Sequence, residues 1–308
     1  MCVTNGLSNL NDYVLENTKD NNDELILYHY TTSKGLLGIL ENNSFFASNF
    51  KCFNDPSEFK FGIYTINNEI KKMLEKETNN KIKNAFEGIE FDSLGNLNKA
   101  IEQLYALSFS ENGDLLPQWQ TYGKNGKGYS IGIKKNKLGS AGLNLNELKD
   151  NQYNIRDKLI KIIYKKDIHI NIAKCFYNDL KKFNNEKEIK KYYYQILPLL
   201  ALVIKHSAYE NEREWRVIFR FSDISSYHKY IEFYERNNVV IPYVKFDFKN
   251  GIICLRLNDN YISTKIPIEL IYLGPTNTTD ESMIRSLLLK QEYFNTTIKK
   301  SNIPYISP

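Results

Sequence analysis

Glu210-Asn211-Glu212-Arg213-Glu214-Trp215-Arg216-Val217-Ile218-Phe219 is the stretch on which the reading of the fold turns. Taken as a strand, it puts Trp215, Val217 and Phe219 on one face, because side chains alternate along a strand. Glu210, Glu212, Glu214 and Arg216 fall on the other. The apolar face predicts packing against a core. The polar face crowds three carboxylates, which repel one another unless a cation or a hydroxyl-bearing ligand meets them, so their titrations are expected to be coupled. A strand carboxylate facing a cleft can bind a ribose hydroxyl or activate a nucleophile. On a solvated edge the same residues would form cross-strand Glu–Arg pairs.

Outward from this stretch, the chain reads as alternating strands and helices. Residues 7–19 suit a short amphipathic helix. Leu25–Thr31 is an aromatic and β-branched run that predicts a strand. Ser33 is the expected N-cap of a helix over 34–42, whose Leu36, Leu37 and Leu40 face a core. Phe45–Ser48, Tyr105–Ser110, Gly128–Ile133, Leu159–Tyr164, Glu214–Arg220 and Ile268–Leu273 read as strands. Val240–Phe248 and Ile252–Leu257 read as a hairpin around Lys249-Asn250-Gly251. Gln118–Tyr122 is a short helix ended by Gly123, and Thr279–Gln291 is the last helix. Helical, Lys-rich insertions are expected at about 59–103 and 166–206. The apolar Ile196–Ile204, after Tyr192-Tyr193-Tyr194, is either a buried helix or a dimer surface, so a homo-oligomer is one expectation. Without an internal repeat or linker, the expectation is a single domain over 1–308. Its class is α+β, a mixed, mostly antiparallel sheet with helical insertions.

Composition bounds the function. The 308 residues are 42% hydrophobic, 13% aromatic and 25% charged, which excludes wholesale disorder. No apolar run approaches a membrane span. The start, Met1-Cys2-Val3-Thr4-Asn5, lacks the pattern of a signal peptide. Cys2, Cys52, Cys175 and Cys254 are scattered, and no residues have metal-ligand spacing. The expectation is a cytoplasmic protein with no metal site. The net charge of +5 is spread through Lys-rich stretches. That permits a nucleic-acid partner without pointing to one.

Three other runs bear on chemistry. In Leu27-Tyr28-His29-Tyr30-Thr31, His29 and Thr31 share a face with Leu27. A strand His followed by a hydroxyl can hold a ligand's hydroxyl or phosphate, although such a His is more often a satisfied structural donor. Trp119 and Tyr122 are three apart on a short helix, and Gly123, Gly126 and Gly128 follow. That arrangement suits a flat ring stacked on an aromatic, or an aromatic core pair beside a turn. Phe53-Asn54-Asp55-Pro56-Ser57-Glu58 is a turn into a helix, and Asn54 is also a candidate ligand contact.

Together these blocks resemble the bacterial family known as domain of unknown function 2971. The residues that carry the resemblance begin with Tyr28–Thr31, Gly35–Leu40 and Phe53–Glu58. They continue through Ser108–Asn112, Trp119–Gly123, Lys127–Gly132, Tyr209–Arg216 and Ile271–Pro275. A second resemblance is to ADP-ribosyltransferases. It rests on Tyr28-His29-Tyr30-Thr31, Gly38–Asn43 and Phe46-Ala47-Ser48 as an opening, and on Glu212-Arg213-Glu214 as a late Glu-x-Glu. Glu210 and Glu212 offer a competing register.

This second resemblance implies an ADP-ribosyltransferase-like fold and NAD as substrate. The activity would be ADP-ribosyl transfer or NAD hydrolysis on a macromolecular acceptor, protein or nucleic acid, in the bacterial cytoplasm, in phage defence or as a toxin. It implies that Glu214, His29 and Glu212 carry catalysis, in that order. The cofactor contacts would be His29, Tyr30, Thr31, Trp119, Tyr122 and Asn54. Two other readings stand beside it: a non-enzymatic nucleotide- or protein-binding module, and a nucleic-acid-acting protein.

Overall fold

The computed structural model describes residues 9–53, 56–87, 89, 97, 101–143, 145, 155–183, 185–221, 228–236, 238–256 and 263–306. Among them, twelve strands form one sheet. These are β1 (Ile26–Thr31), β2 (Phe45–Asn49), β3 (Leu104–Ser110), β4 (Tyr129–Lys134), β5 (Ser140–Ala141) and β6 (Ile155–Lys161). They continue as β7 (Glu214–Arg220), β8 (Glu232–Arg236), β9 (Val239–Lys249), β10 (Ile252–Leu255), β11 (Ile268–Leu273) and β12 (Thr297–Lys300). The helices are α1 (Leu10–Thr18), α2 (Ser33–Asn42), α3 (Pro56–Glu75), α4 (Asn80–Glu87), α5 (Leu116–Thr121), α6 (Lys166–Leu180), α7 (Glu186–Val203) and α8 (Glu281–Lys290).

The sheet is mostly antiparallel, as expected, with parallel pairs only at β5–β6 and β11–β12 among the described residues. Its centre is β3. β7 pairs with β3 along its whole length, from Leu104↔Arg220 to Ser110↔Glu214. The opposite edge of β3 is shared. β2 takes its start at Ala106 and Tyr105, and β1 takes its end at Ser110. β1 and β2 therefore splay apart across Leu107–Phe109, and the sheet opens there.

Apolar groups cover both faces. Ala106, Ile160 and Ile218 pack under α3, α6 and α7. Leu107, Phe109, Trp215, Val217 and Phe219 pack under α2 and α8 through Leu36, Leu40, Ile284 and Leu288. The predicted core face of the opening stretch is thus present. Its other face is not a solvated edge. All seven residues of β7 are buried, including Glu214 and Arg216.

The opening stretch is also not one strand. Ser207–Glu212 is a 3₁₀ turn and Arg213 is left-handed (φ 43°), so the strand begins only at Glu214. Thr32, not Ser33, caps α2, its side chain accepting from the Gly35 amide at 3.1 Å. β6 ends at Lys161, where the expected strand ran to Tyr164. β8 and β12 were not expected: each is short, half-polar and defined by its partner strand. The hairpin β9–β10 turns through Asn250 and Gly251, both at positive φ, as a two-residue turn requires.

The Ile196–Ile204 run is a buried helix end. Pro198 lies inside α7, which costs about 3 kcal/mol of helix stability. Leu197, Leu199, Leu200 and Leu202 are at most 1% exposed, each contributing roughly 1.5–3 kcal/mol on burial. Burial outweighs the local defect. The crossing of α3 over α7 is close at Gly62, where a Cβ would lie 2.6 Å from the Ala201 carbonyl oxygen. Replacing Gly62 with Ala is expected to destabilise the protein by about 1–3 kcal/mol through overpacking. Chemical denaturation reads this as a fall in midpoint at constant slope. An unchanged midpoint would show that the helices can separate without cost.

Candidate functional site

The splay between β1 and β2 opens a cavity of about 400 Å³, within the usual size of small-molecule sites. β1, β2, β3, the end of α5, the start of α3 and the segment 205–216 line it. His29 and Tyr122 reach it, together with Glu58, Lys205, Glu212, Glu214, Arg216 and Arg236.

One wall is an ion cluster. Arg216 is 1% exposed, and such a charge is tolerable only when every donor is matched. Its Nε donates to Glu214 Oε1 at 2.7 Å and its Nη2 to Glu214 Oε2 at 2.8 Å, a bidentate pair. Nη2 also bonds Glu58 Oε1, and Nη1 donates to the Leu202 carbonyl at 2.9 Å. Lys205 Nζ donates to Glu214 Oε2 at 2.8 Å and to Glu212 Oε2 at 2.6 Å. Lys205 itself is fixed where α7 ends, by a backbone bond from its amide to the Ile163 carbonyl at 3.0 Å.

These contacts separate two carboxylates that the sequence does not distinguish. Burial alone would raise Glu214, but the Arg216 guanidinium and the Lys205 ammonium outweigh it and hold the carboxyl well below its ordinary range. Three donor contacts occupy both its oxygens. Glu212 is raised above the ordinary range: burial is the main cause, Lys205 opposes it only in part, and Glu214 and Glu58 add repulsion. Two cations face three carboxylates here, and Glu212 carries the excess. Glu212 reaches the cavity because the left-handed Arg213 reverses the chain, and the end of β3 holds that turn. Ser110 Oγ donates to the Glu212 carbonyl at 2.7 Å, and the Glu111 amide to the Arg213 carbonyl at 3.1 Å.

The other wall comes from β1. His29 Nδ1 lies 3.0 Å from the Ser108 carbonyl, in the stretch of β3 left open by the splay. A carbonyl only accepts, so Nδ1 carries the proton and Nε2 is the acceptor of a neutral ring. Burial keeps the imidazole below its usual range, with the Ser108 contact opposing. The ring sits edge-on to Phe45 and Phe109, centroids 5.3 and 5.8 Å away. Tyr122 caps the end of α5. Burial, with Glu214 and Glu212 nearby, pushes its phenol up to about 12, so it keeps its proton at neutral pH.

The expected site residues divide accordingly. His29, Tyr30, Tyr122, Glu212 and Glu214 line the cavity; the Tyr30 hydroxyl, however, is taken by the Asn112 carbonyl and the Leu115 amide. Trp119 is fully buried away from it. Its indole donates to Asp114 at 2.7 Å and its ring packs edge-on to Tyr30 at 4.8 Å, so Trp119 and Tyr122 form no shared platform. Thr31 lies against Gly35 and outside the cavity. Asn54 lies outside the described residues. Glu210 is exposed and does not line the cavity, so the converging pair is Glu212 and Glu214.

Sequence reading missed Lys205, Glu58 and the buried role of Arg216. Lys205 is a lone Lys after an apolar run, and an unusual charge at the end of a buried helix was the only available signal. Among the described residues, no group of three or more His, Cys, Asp or Glu is placed to hold a metal ion. No helix among them is long and apolar enough to cross a membrane.

Residues 118–217 match the model of a family described as "Protein of unknown function (DUF2971)". The matched segment runs from Gln118 through Tyr122 to the ion cluster and ends within β7, which supports the first of the two family resemblances. No curated protein and no solved structure matches the chain.

Replacing Arg216 with Ala leaves Glu214 and Glu58 buried without their main cation, and is expected to cost on the order of 3–5 kcal/mol. A loss below about 1 kcal/mol in denaturant titration would show that the cluster rearranges freely. Acid should act on the same cluster. The Glu214 carboxyl is lowered from 4.5, so its contribution is present above that pH and is lost as pH falls below it. Acid unfolding is therefore expected to steepen below pH 4.5 in wild type and to flatten in Glu214→Gln.

Proposed function

We propose that the cavity binds NAD and that the protein cleaves its nicotinamide–ribose bond, passing ADP-ribose to a macromolecular acceptor or to water in the bacterial cytoplasm. The observation that supports this reading best is the convergence of Glu212 and Glu214 with His29 and Tyr122 around one cavity at the split of the sheet. These four are among the residues that the ADP-ribosyltransferase resemblance implies, and an ADP-ribosyltransferase-like fold is part of the same proposal.

The chemistry divides the two carboxylates by role. As the C–N bond breaks, its electron pair leaves with nicotinamide, which becomes neutral, and positive charge builds on the ribose carbon. A nearby carboxylate stabilises that charge. Glu214 is held by Arg216 and Lys205 and serves to position the cluster. Glu212, held through one oxygen by Lys205, is the carboxylate that faces the ribose and takes the proton from the attacking hydroxyl or water. His29 Nε2 accepts a ribose hydroxyl, and Tyr122 borders the nicotinamide.

The test is nicotinamide release from NAD by the purified protein, with and without bacterial lysate. Glu212→Gln is expected to lose release by at least about a hundredfold while keeping its melting temperature. Glu214→Gln is expected to lose both. The acidic limb of the rate profile should lie above pH 4.5, because Glu212 must be ionised and its pKa is raised from that value. A thermal shift by NAD without release in any condition would replace this reading with a nucleotide-binding module, which the saturated contacts of Glu214 favour. No release and no shift would remove both.

A further inference from the structure

At the β2–β8 end of the same cavity, Arg236 stands apart from the ion cluster. β8 alternates, so Glu232, Tyr234 and Arg236 turn inward while Phe233 and Glu235 face solvent. Arg236 lines the cavity, and its Nη2 donates to the Cys52 carbonyl at 2.6 Å. Among the described residues no carboxylate pairs with it. Glu232, on the same face of β8, is satisfied by Tyr243 Oη at 2.7 Å and Lys245 Nζ at 2.7 Å, and does not neutralise Arg236.

The surroundings are aromatic and hydroxylic. Phe46, on β2, lines the cavity and stacks on Tyr243 with centroids 4.2 Å apart. Ser48 Oγ and Tyr234 Oη lie 3.1 Å apart beside it. Phe53 follows Cys52 by one residue, and its ring lies 5.6 Å from the Arg216 guanidinium. Phe53 and Phe46 both line the cavity.

A guanidinium that meets no carboxylate among the described residues, on a cavity wall bearing an aromatic ring and the Ser48 hydroxyl with Tyr234 bonded to it, has the chemistry of a phosphate site. We propose that Arg236 binds a phosphate of the nucleotide, with Ser48 and Tyr234 as hydroxyl donors and Phe46 against the base or ribose. This deepens the NAD reading and rests on it for the identity of the substrate. The site would take pyrophosphate-bearing nucleotides and discriminate against the unphosphorylated nucleoside.

The test measures binding of ADP-ribose, ADP and adenosine to the full chain by calorimetry, beside nicotinamide release. Arg236→Gln is expected to weaken ADP-ribose and ADP by roughly tenfold or more and to leave adenosine unchanged. Arg236→Lys should recover part of the loss, and the Arg236-dependent affinity should fall with added salt. In turnover, Arg236→Gln should raise KM with kcat retained, which a merely structural lesion would not do. An unchanged melting temperature in both variants excludes misfolding as the cause.

Equal affinity of wild type for ADP and adenosine, no binding of ADP, or unaltered ADP binding in Arg236→Gln would each overturn the subsite. The two proposals fail separately. ADP binding that depends on Arg236 without nicotinamide release keeps the subsite and removes the NAD chemistry. Release with a KM indifferent to Arg236 does the reverse.

Discussion

An edge of a strand can pair with one neighbour at a time, and β3 applies that constraint to the whole molecule. β7 occupies one edge completely, while β1 and β2 divide the other. The backbone of Leu107–Phe109 is left facing the gap, and His29 supplies a donor to the Ser108 carbonyl there. The gap is the cavity. A fully paired β3 would close it, and His29 would have no unpaired carbonyl to orient it. The shape of the site and the tautomer of its histidine therefore share one origin in strand pairing.

The second constraint is charge. Helices and apolar side chains on both faces bury β7, so Arg216 must find its partners inside the protein. It draws Glu214 and Glu58 together from a strand and a distant helix, and Lys205 joins from the end of α7. This cluster locks the sheet to its helical layer. It also leaves Glu212 with the surplus negative charge at the cavity wall, and its carboxyl is raised there. The lowered and the raised carboxyl are separated by the left-handed Arg213 alone.

Much of the fold was legible in sequence because strong local patterns have a single cheap solution. The alternation Trp215, Val217, Phe219 marks a core-facing strand, and Asn250-Gly251 marks a two-residue hairpin turn, since both positions need positive φ. The apolar run Ile196–Ile204 marks a covered helix face, and the structure decides that it is covered by the chain itself, despite Pro198. Short β8 and β12 were not legible, since neither has a pattern of its own and each depends on a partner strand. The strand Glu214–Arg220 was legible with its observed bounds, but the alternation does not extend back to Glu210, because nothing in residue type announces the 3₁₀ turn and the left-handed Arg213.

For the site, the sequence by itself determined which chemical groups were at hand: His29 on an early strand, a Glu-x-Glu before an apolar strand, and an aromatic helix end. These are local facts of residue type and spacing. Tertiary structure alone decided which of them meet. It buried Trp119 against Tyr30, set Glu210 outward, brought Lys205 to Glu214, and brought Glu58 to Arg216 from a distant part of the chain. It also set the two carboxylates apart, because a carboxylate's titration depends on burial and on neighbouring charge, and neither quantity exists until the chain is folded.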